Sequence, residues 1–325
     1  MTKIQSFIMI LICILTIIII LYLIESDNFS PKKQIKKYIS RGKFNRAIYF
    51  LDKYSEKLDP IFFYNNKILA LSKIKEFNTA YELSIEALKN IKNPNHQLYN
   101  NIAFVYYNLN LYHRAIELSK KALSLNPLDL FALSNKGFAH IKIGEYEKAE
   151  ACFDKALEFN PSFKNALSGK SYCTYEKEDY EKTAQLLEKF ISIDPTEATA
   201  YKKLGECYFY LNKIKASKKM YEKALSLNPK DSMYYCEYAN VLIYLGLYDE
   251  ALEVLDTALA LSPYNFIAFY YKTRAYALKK DNDNALYYLE RAIAHCPCIK
   301  QIALEDNMIN NLKFFSKFKE LLDLK

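Results

Sequence analysis

Three groups of residues have types that could do chemistry. Gly169, Lys170 and Ser171 spell the end of a phosphate-binding loop, in which backbone N–H groups cradle phosphates and the lysine meets their charge. Such a loop needs a glycine five residues earlier, where this chain has Lys164, and a preceding strand, where the pattern predicts the start of a helix. His295, Cys296 and Cys298 are metal-ligand types. A metal site needs about four ligands, and the usual cysteine pair is separated by two residues rather than one. His96, His113 and His140 stand without any nucleophile motif. The sequence therefore predicts no catalytic residue, no cofactor, no metal ligand and no enzymatic activity for this chain.

The elements around these residues are set by a period. Pro60, Pro94, Pro127, Pro161, Pro195, Pro229, Pro263 and Pro297 are spaced by 34 residues, with a single gap of 33. The phrase KALSLNP at Lys121 to Pro127 returns at Lys223 to Pro229. A fixed period of this size is the mark of stacked repeats, so the chain reads as one elongated array rather than as globular domains counted by length. Only six glycines and no tryptophan, with 51% apolar residues, describe an ordered, helical protein.

Blocks starting at His96, Leu130, Lys164, Ala198, Ser232 and Phe266 align position by position. Position 8 is small (Ala103, Gly137, Ser171, Gly205, Ala239, Thr273), and so is position 20 (Ala115, Ala149, Thr183, Ser217, Ala251, Ala285). Large apolar residues such as Tyr99, Phe153, Tyr221 and Leu255 hold positions 4, 17 and 24. Two antiparallel helices approach closely only where neither carries bulk, so this alternation predicts a helical hairpin in each block. Gly144 and Gly246, both at position 15, suit the turn between the helices, and proline ends the second helix.

The pattern, as in LGECYFYLNKIKASKKMYEKALSLNP from Leu204 to Pro229, resembles the tetratricopeptide repeat (TPR). The family's tryptophan-class position 4 is filled here by Tyr, Leu or Phe. The resemblance covers residues 96–297 strongly, 61–94 with a one-residue insertion, and 32–60 more loosely. It implies an all-α, right-handed superhelical solenoid of helix-turn-helix repeats, to which the apolar run near the N-terminus adds an N-terminal transmembrane helix. The expected boundaries are an anchor at 1–25, a linker at 26–31, an array of about eight repeats at 32–297, and capping helices at 298–325. Within the array the repeats fall at 32–60 (degenerate), 61–94, 96–129, 130–163, 164–197, 198–231, 232–265 and 266–297. Ile309, Leu312, Phe315 and Leu322 are expected to cover the apolar flank of the last repeat.

The anchor is read from residues 4–24, whose stretch FIMILICILTIIIILYLI from Phe7 to Ile24 carries no charge. At about 1.5 Å per residue it reaches across a hydrocarbon core of about 30 Å. A cleaved signal peptide would have a shorter apolar core and a small-residue site, which Ile24-Glu25-Ser26 does not supply. The chain's charge of +8 sits mostly in residues 31–57, which carry +7, leaving the array nearly neutral and without the basic stripe that nucleic-acid binding needs. By the positive-inside rule, Lys32, Lys33, Lys36, Lys37, Arg41 and Lys43 assign the array to the cytoplasmic side of a bacterial inner membrane. The six cysteines beyond Cys13 are scattered, as expected of reduced, buried thiols. The basic hairpin at 32–57 could also meet anionic lipid.

In the TPR family first helices line a concave surface, which implies that positions 2, 5, 6, 9, 12 and 13 face a groove. Asn66, Asn101 and Asn135 at position 6 could give and accept hydrogen bonds with an extended peptide. Phe104, Phe138 and Tyr172 at position 9, with Tyr107, Tyr175 and Phe209 at position 12, form an expected aromatic wall that turns polar toward Glu206, Asn240 and Arg274. The family's clamp for chaperone tails needs lysine, asparagine and arginine at set positions of three consecutive repeats, and no triplet here supplies them. Two readings follow. One is a membrane-tethered scaffold that binds an extended peptide or helix of a partner protein, in envelope assembly or quality control. The alternative is a non-catalytic subunit of a larger membrane enzyme or secretion complex, contacting partners by its convex face.

Overall fold

Each period holds two helices because the residues at its ends start and stop them. The peptide unit before a proline disfavours helical geometry, and Asn126, just before Pro127, is extended at φ −141° and ψ 95°. Two residues beyond that proline, Asp129 accepts hydrogen bonds from the N–H groups of Phe131 and Ala132, both at 3.1 Å, and so starts the next helix. Asp231 and Asn265 repeat this arrangement two residues after Pro229 and Pro263.

The computed structural model describes residues 30–324 together with Thr16. The anchor expected at 4–24 lies outside the described residues, apart from Thr16. Among the described residues all regular structure is helical, and no helix is long and apolar enough to cross a membrane. The chain divides into two compact units between Phe159 and Asn160.

The first unit stacks four hairpins: α1 (Pro31–Ser40) with α2 (Phe44–Lys53), α3 (Pro60–Lys73) with α4 (Phe77–Asn90), α5 (His96–Asn108) with α6 (Tyr112–Leu125), and α7 (Leu130–Lys142) with α8 (Tyr146–Phe159). The second unit stacks another four: α9 (Lys164–Glu176) with α10 (Tyr180–Ile193), α11 (Ala198–Tyr210) with α12 (Ile214–Leu227), α13 (Ser232–Tyr244) with α14 (Tyr248–Leu261), and α15 (Phe266–Leu278) with α16 (Asn282–His295). It ends in α17 (Ile299–Glu305), a 3-10 segment (Asn307–Phe314) and α18 (Ser316–Leu321).

The small residues sit where the helices of a hairpin meet. Ala47, Ala80, Ala115, Ala149, Ser217, Ala251 and Ala285 are all fully buried. A Cβ at Gly137 would lie 2.6 Å from the ring of Phe153, and one at Gly205 would lie 2.9 Å from the ring of Tyr221. Ser217 also donates to the carbonyl of Gly205 at 2.7 Å, so the crossing in that hairpin is bonded as well as packed.

Position 15 is left-handed in every hairpin, not only where glycine occupies it. Gly42, Gly144 and Gly246 have φ between 68° and 77°, while Lys75, Asn110, Glu178, Asn212 and Lys280 adopt φ between 57° and 65°. The tight turn imposes this geometry on side chains that otherwise avoid it.

The C-terminal segment buries Ile299, Ala303, Ile309, Leu312, Phe318 and Leu322 against Phe269, Tyr270, Leu286 and Leu289. Phe318 takes the buried place expected for Phe315, which stays 36% exposed, because the 3-10 segment shifts the helical phase. The cysteines also differ from expectation. Cys152, Cys173, Cys207 and Cys236 are buried thiols, but Cys296 and Cys298 are joined in a disulfide where α16 ends and the chain turns into α17.

Candidate peptide-binding face

The first helices of neighbouring hairpins touch through side chains, and these contacts carry most of the residues expected to line a groove. In the first unit, Asn101 donates its side-chain amide to the backbone carbonyl of Asn65 at 3.2 Å and to its side-chain carbonyl at 2.8 Å. Asn135 repeats this one hairpin further on, donating to the backbone carbonyl of Asn100 at 3.3 Å and to its side chain at 2.7 Å. Asn66 instead turns back on its own helix and donates to Phe62 at 2.7 Å. The donor half of Asn101 and Asn135 therefore joins hairpins.

The rings of the first unit form a second set of links. Phe104 meets Phe77 with ring centres 6.3 Å apart, and the ammonium of Lys73 lies 5.9 Å from the Phe104 ring. Tyr107 lies between Tyr112 and Phe138, at 5.8 and 6.5 Å. Burial, then the neighbouring Tyr112, pushes the Tyr107 phenol above its usual range. Phe138 packs edge-on against the fully buried Phe153 at 5.2 Å. These rings are half-buried.

In the second unit the aromatic run is longer than the sequence suggested. Tyr175 meets Tyr180 at 5.7 Å, Tyr180 stacks on Tyr210 at 4.6 Å, and Phe209 meets Tyr210 at 6.0 Å and Tyr244 edge-on at 4.7 Å. Tyr172, Tyr210 and Tyr244 are 42%, 56% and 52% exposed. Tyr180, Tyr210 and Tyr244 were missed as lining residues; Tyr210 and Tyr244 could have been found, since both stand at position 13. Position 12 also lines less than expected, because Ser72, Ile141, Ile243 and Ala277 are buried.

Charges on this face of the second unit are paired among themselves. Lys202 binds Glu206 at 2.8 Å and Glu237 of the next hairpin at 2.9 Å, while Lys203 binds Glu206 at 2.8 Å and lies 3.7 Å from the Tyr175 ring. Burial pushes the Glu237 carboxyl up despite Lys202, and its second oxygen is buried without a partner. Burial acts on Glu206 in the same direction, but hydrogen bonds from Lys202 and Lys203 outweigh it and hold that carboxyl below its usual range. Arg274 binds Asp306 at 2.6 Å and Asn240 at 3.2 Å, so two of the expected polar residues face each other.

Burial pushes the thiols of Cys207 and Cys236 up to about 12, so neither forms a thiolate near neutral pH. Among the described residues no group of three His, Cys, Asp or Glu side chains is placed to hold a metal ion. Gly169, Lys170 and Ser171 lie inside helix α9.

Stacked helical hairpins that present half-buried rings and amides define a helical-repeat protein of the kind that meets other proteins through its surface. Models of the tetratricopeptide repeat match residues 96–127, 131–163, 198–231 and 220–253. No curated protein matches the sequence. Among solved structures the chain is similar to YrrB, described as a TPR protein with an unusual peptide-binding site, at 26% identity, covering 62% of this chain and all of that one, with a TM-score of 0.53. It is similar in fold to PilF of Pseudomonas aeruginosa, at 20% identity over 67% of this chain and 96% of that one, with a TM-score of 0.55. It is also similar in fold to a chain in the Cut9–Hcn1 assembly of the APC/C, at 17% identity over 89% of this chain and 54% of that one, with a TM-score of 0.60.

Proposed function

We propose that this protein is a membrane-tethered scaffold that docks an extended peptide or helix of a partner protein on its first-helix face, in bacterial envelope assembly or quality control. The observation that carries the reading is the set of exposed rings on that face, Tyr172, Tyr210 and Tyr244, backed by half-buried neighbours. Rigid aromatic rings supply contact area at little entropic cost. The likeness to YrrB, described as having a peptide-binding site, supports the same use of the fold.

The tether is the apolar run at 4–24, and the positive-inside rule assigns the array to the cytoplasmic side. The four buried thiols agree with a reducing compartment, whereas the Cys296–Cys298 bond favours an oxidising one. A reporter fused to the C-terminus decides between them. On the turn and second helix of the first hairpin and in the 3-10 turn Ser55–Lys57 that follows, Lys43, Arg46, Lys53 and Lys57 are exposed and suit anionic headgroups, at about 1 kcal/mol per cation near such a surface.

A second reading has its own observation. Leu125 and Phe159 in the first unit, and Ile193 and Leu261 in the second, are exposed at one repeated position near the ends of second helices. A partner seated there would make the protein a non-catalytic subunit of a larger membrane enzyme or secretion complex. Crosslinking and pull-down of the anchored protein from its host, with Phe104, Phe138 and Tyr172 changed to Ala, separates the two. Loss of the captured partner supports docking on the first-helix face, and full retention supports the second-helix face.

A further inference from the structure

The two units differ in charge at positions 2, 5, 6, 9, 12 and 13 of their first helices. In the second unit every first-helix cation described above is paired with a carboxylate: Lys202 and Lys203 share Glu206, Lys202 also holds Glu237, and Arg274 holds Asp306. In the first unit, positions 2, 5, 6, 9, 12 and 13 of the hairpins contain no Asp or Glu at all between Lys32 and Lys142. They do contain Lys32, Lys33, Lys36, Lys73 and Lys142, all exposed, and among the described residues Lys32, Lys36, Lys73 and Lys142 form no ion pair.

These lysines do not extend alone into solvent. Lys32 and Lys36 lie 5.5 and 6.0 Å from the Phe62 ring, and Lys73 lies 5.9 Å from Phe104. Lys142 stands one turn beyond Phe138 on the same helix face. Cations therefore alternate with rings and with the side-chain carbonyls of Asn101 and Asn135 from the first hairpin to the fourth.

We infer that the first-helix face of the first unit takes an extended, acidic segment of a partner protein, in which Asp or Glu residues alternate with apolar ones. The inference rests on the docking role proposed above and adds the chemistry of the docked segment. Uncompensated lysines attract carboxylates and repel basic segments, which sets specificity more than affinity. The rings take the apolar side chains, and the Asn101 and Asn135 carbonyls accept N–H groups from an extended backbone. A lipid surface would draw on cations gathered at the membrane-proximal end, whereas these reach Lys142 and are interleaved with rings and amides.

The test uses the full-length protein in nanodiscs of neutral lipid and a displayed library of randomised twelve-residue peptides. Selection should enrich Asp and Glu at least twofold over the starting library. K32Q/K36Q/K73Q/K142Q should bind the selected peptides roughly tenfold more weakly, in line with several exposed charge pairs. K219Q/K223Q, an exposed pair in the second unit, should bind them as the unaltered protein does. Thermal midpoints of all three proteins check that folding is retained. Selection of peptides with no acidic enrichment, or equal binding to the quadruple variant, overturns the inference and leaves the docking role standing. If the quadruple variant instead loses only its response to nanodiscs containing phosphatidylglycerol, the lysines serve the membrane and the inference falls. Failure to select any peptide overturns the docking role together with the inference.

Discussion

Asn101 of the third hairpin and Asn65 of the second are joined by two hydrogen bonds, at 2.8 and 3.2 Å, from one side-chain amide. One acceptor is the backbone carbonyl of Asn65, so the bond ties a side chain to the neighbouring helix itself. Asn135 and Asn100 repeat the link, and in the second unit Lys202 and Glu237 occupy the equivalent pair of positions with an ion pair. In a repeat stack, where each hairpin contacts only its neighbours, such a link acts directly on the interface term of stability.

Replacing Asn101 with Ala should therefore lower the stability of the first unit by about 1–2 kcal/mol, the usual effect of removing a partly buried hydrogen-bonding group. Asn101→Asp should be worse, since it sets a carboxylate against two carbonyl acceptors. Urea denaturation monitored by circular dichroism measures both, and an Asp variant as stable as the Ala variant would contradict the described geometry.

Gly137 is expected to tolerate no side chain while Phe153 is present. A Cβ there would be 2.6 Å from the Phe153 ring, which is fully buried and cannot swing away. Overpacking of this kind costs about 1–3 kcal/mol and should outweigh the gain of about 1 kcal/mol that Ala brings to a helix interior. Gly137→Ala combined with Phe153→Leu should recover part of the loss, seen as a coupling energy in a double-mutant cycle of thermal midpoints.

The left-handed residues make the opposite prediction. Lys75, Glu178 and Lys280 are held at φ 59–65°, and changing each to Gly should raise stability by about 1 kcal/mol by relieving the Cβ contact with the following carbonyl. Asn110 and Asn212 should gain less, because asparagine visits this region more readily. Gly144→Ala should lower stability by a similar amount. Differential scanning calorimetry of the single variants checks the order.

Glu237 makes stability depend on pH. Burial raises its folded-state pKa above the ordinary 4.5. Its contribution is fully present below 4.5 and is lost as pH rises through the raised value. The stability of the protein relative to Glu237→Gln should therefore be higher at pH 4.5 than at pH 7. Glu206, held low by its two lysines, has the opposite sign: its contribution is present above 4.5 and disappears as pH falls through its depressed value. Chemical denaturation from pH 4 to 7 on the two Glu→Gln variants should give slopes of opposite sign, and parallel slopes would refute the assignment.

Much of the helical framework was legible from residue size alone. Ala115, Ala149 and Ser217 at the crossings, and Phe153 and Tyr221 beside them, are arranged as alternation of small and large predicts, because two helices have only one way to approach closely. Gly144 and Gly246 pointed to the turn. Lys75, Glu178 and Lys280 did not, because the turn imposes their conformation against their own preference. The candidate face was legible in part. Position 6 was singled out for peptide contact, whereas Asn101 and Asn135 there bond Asn65 and Asn100 of the preceding hairpins; these partners were not legible, because which side chain is met across two helices depends on the rotation between hairpins.

What the sequence by itself determined is the local plan, namely the period, the hairpins, the apolar run at 4–24 and the location of net charge, since each depends on residues near one another along the chain. What only the tertiary structure decided is which groups are already satisfied. The amides of Asn101 and Asn135, the cations Lys202, Lys203 and Arg274, and the position-12 residues Ile141 and Ile243 are taken up by neighbouring hairpins or buried between them. Hydrogen bonding and ion pairing act over a few ångströms in space, so a side chain's partners depend on distances that separation along the chain does not specify.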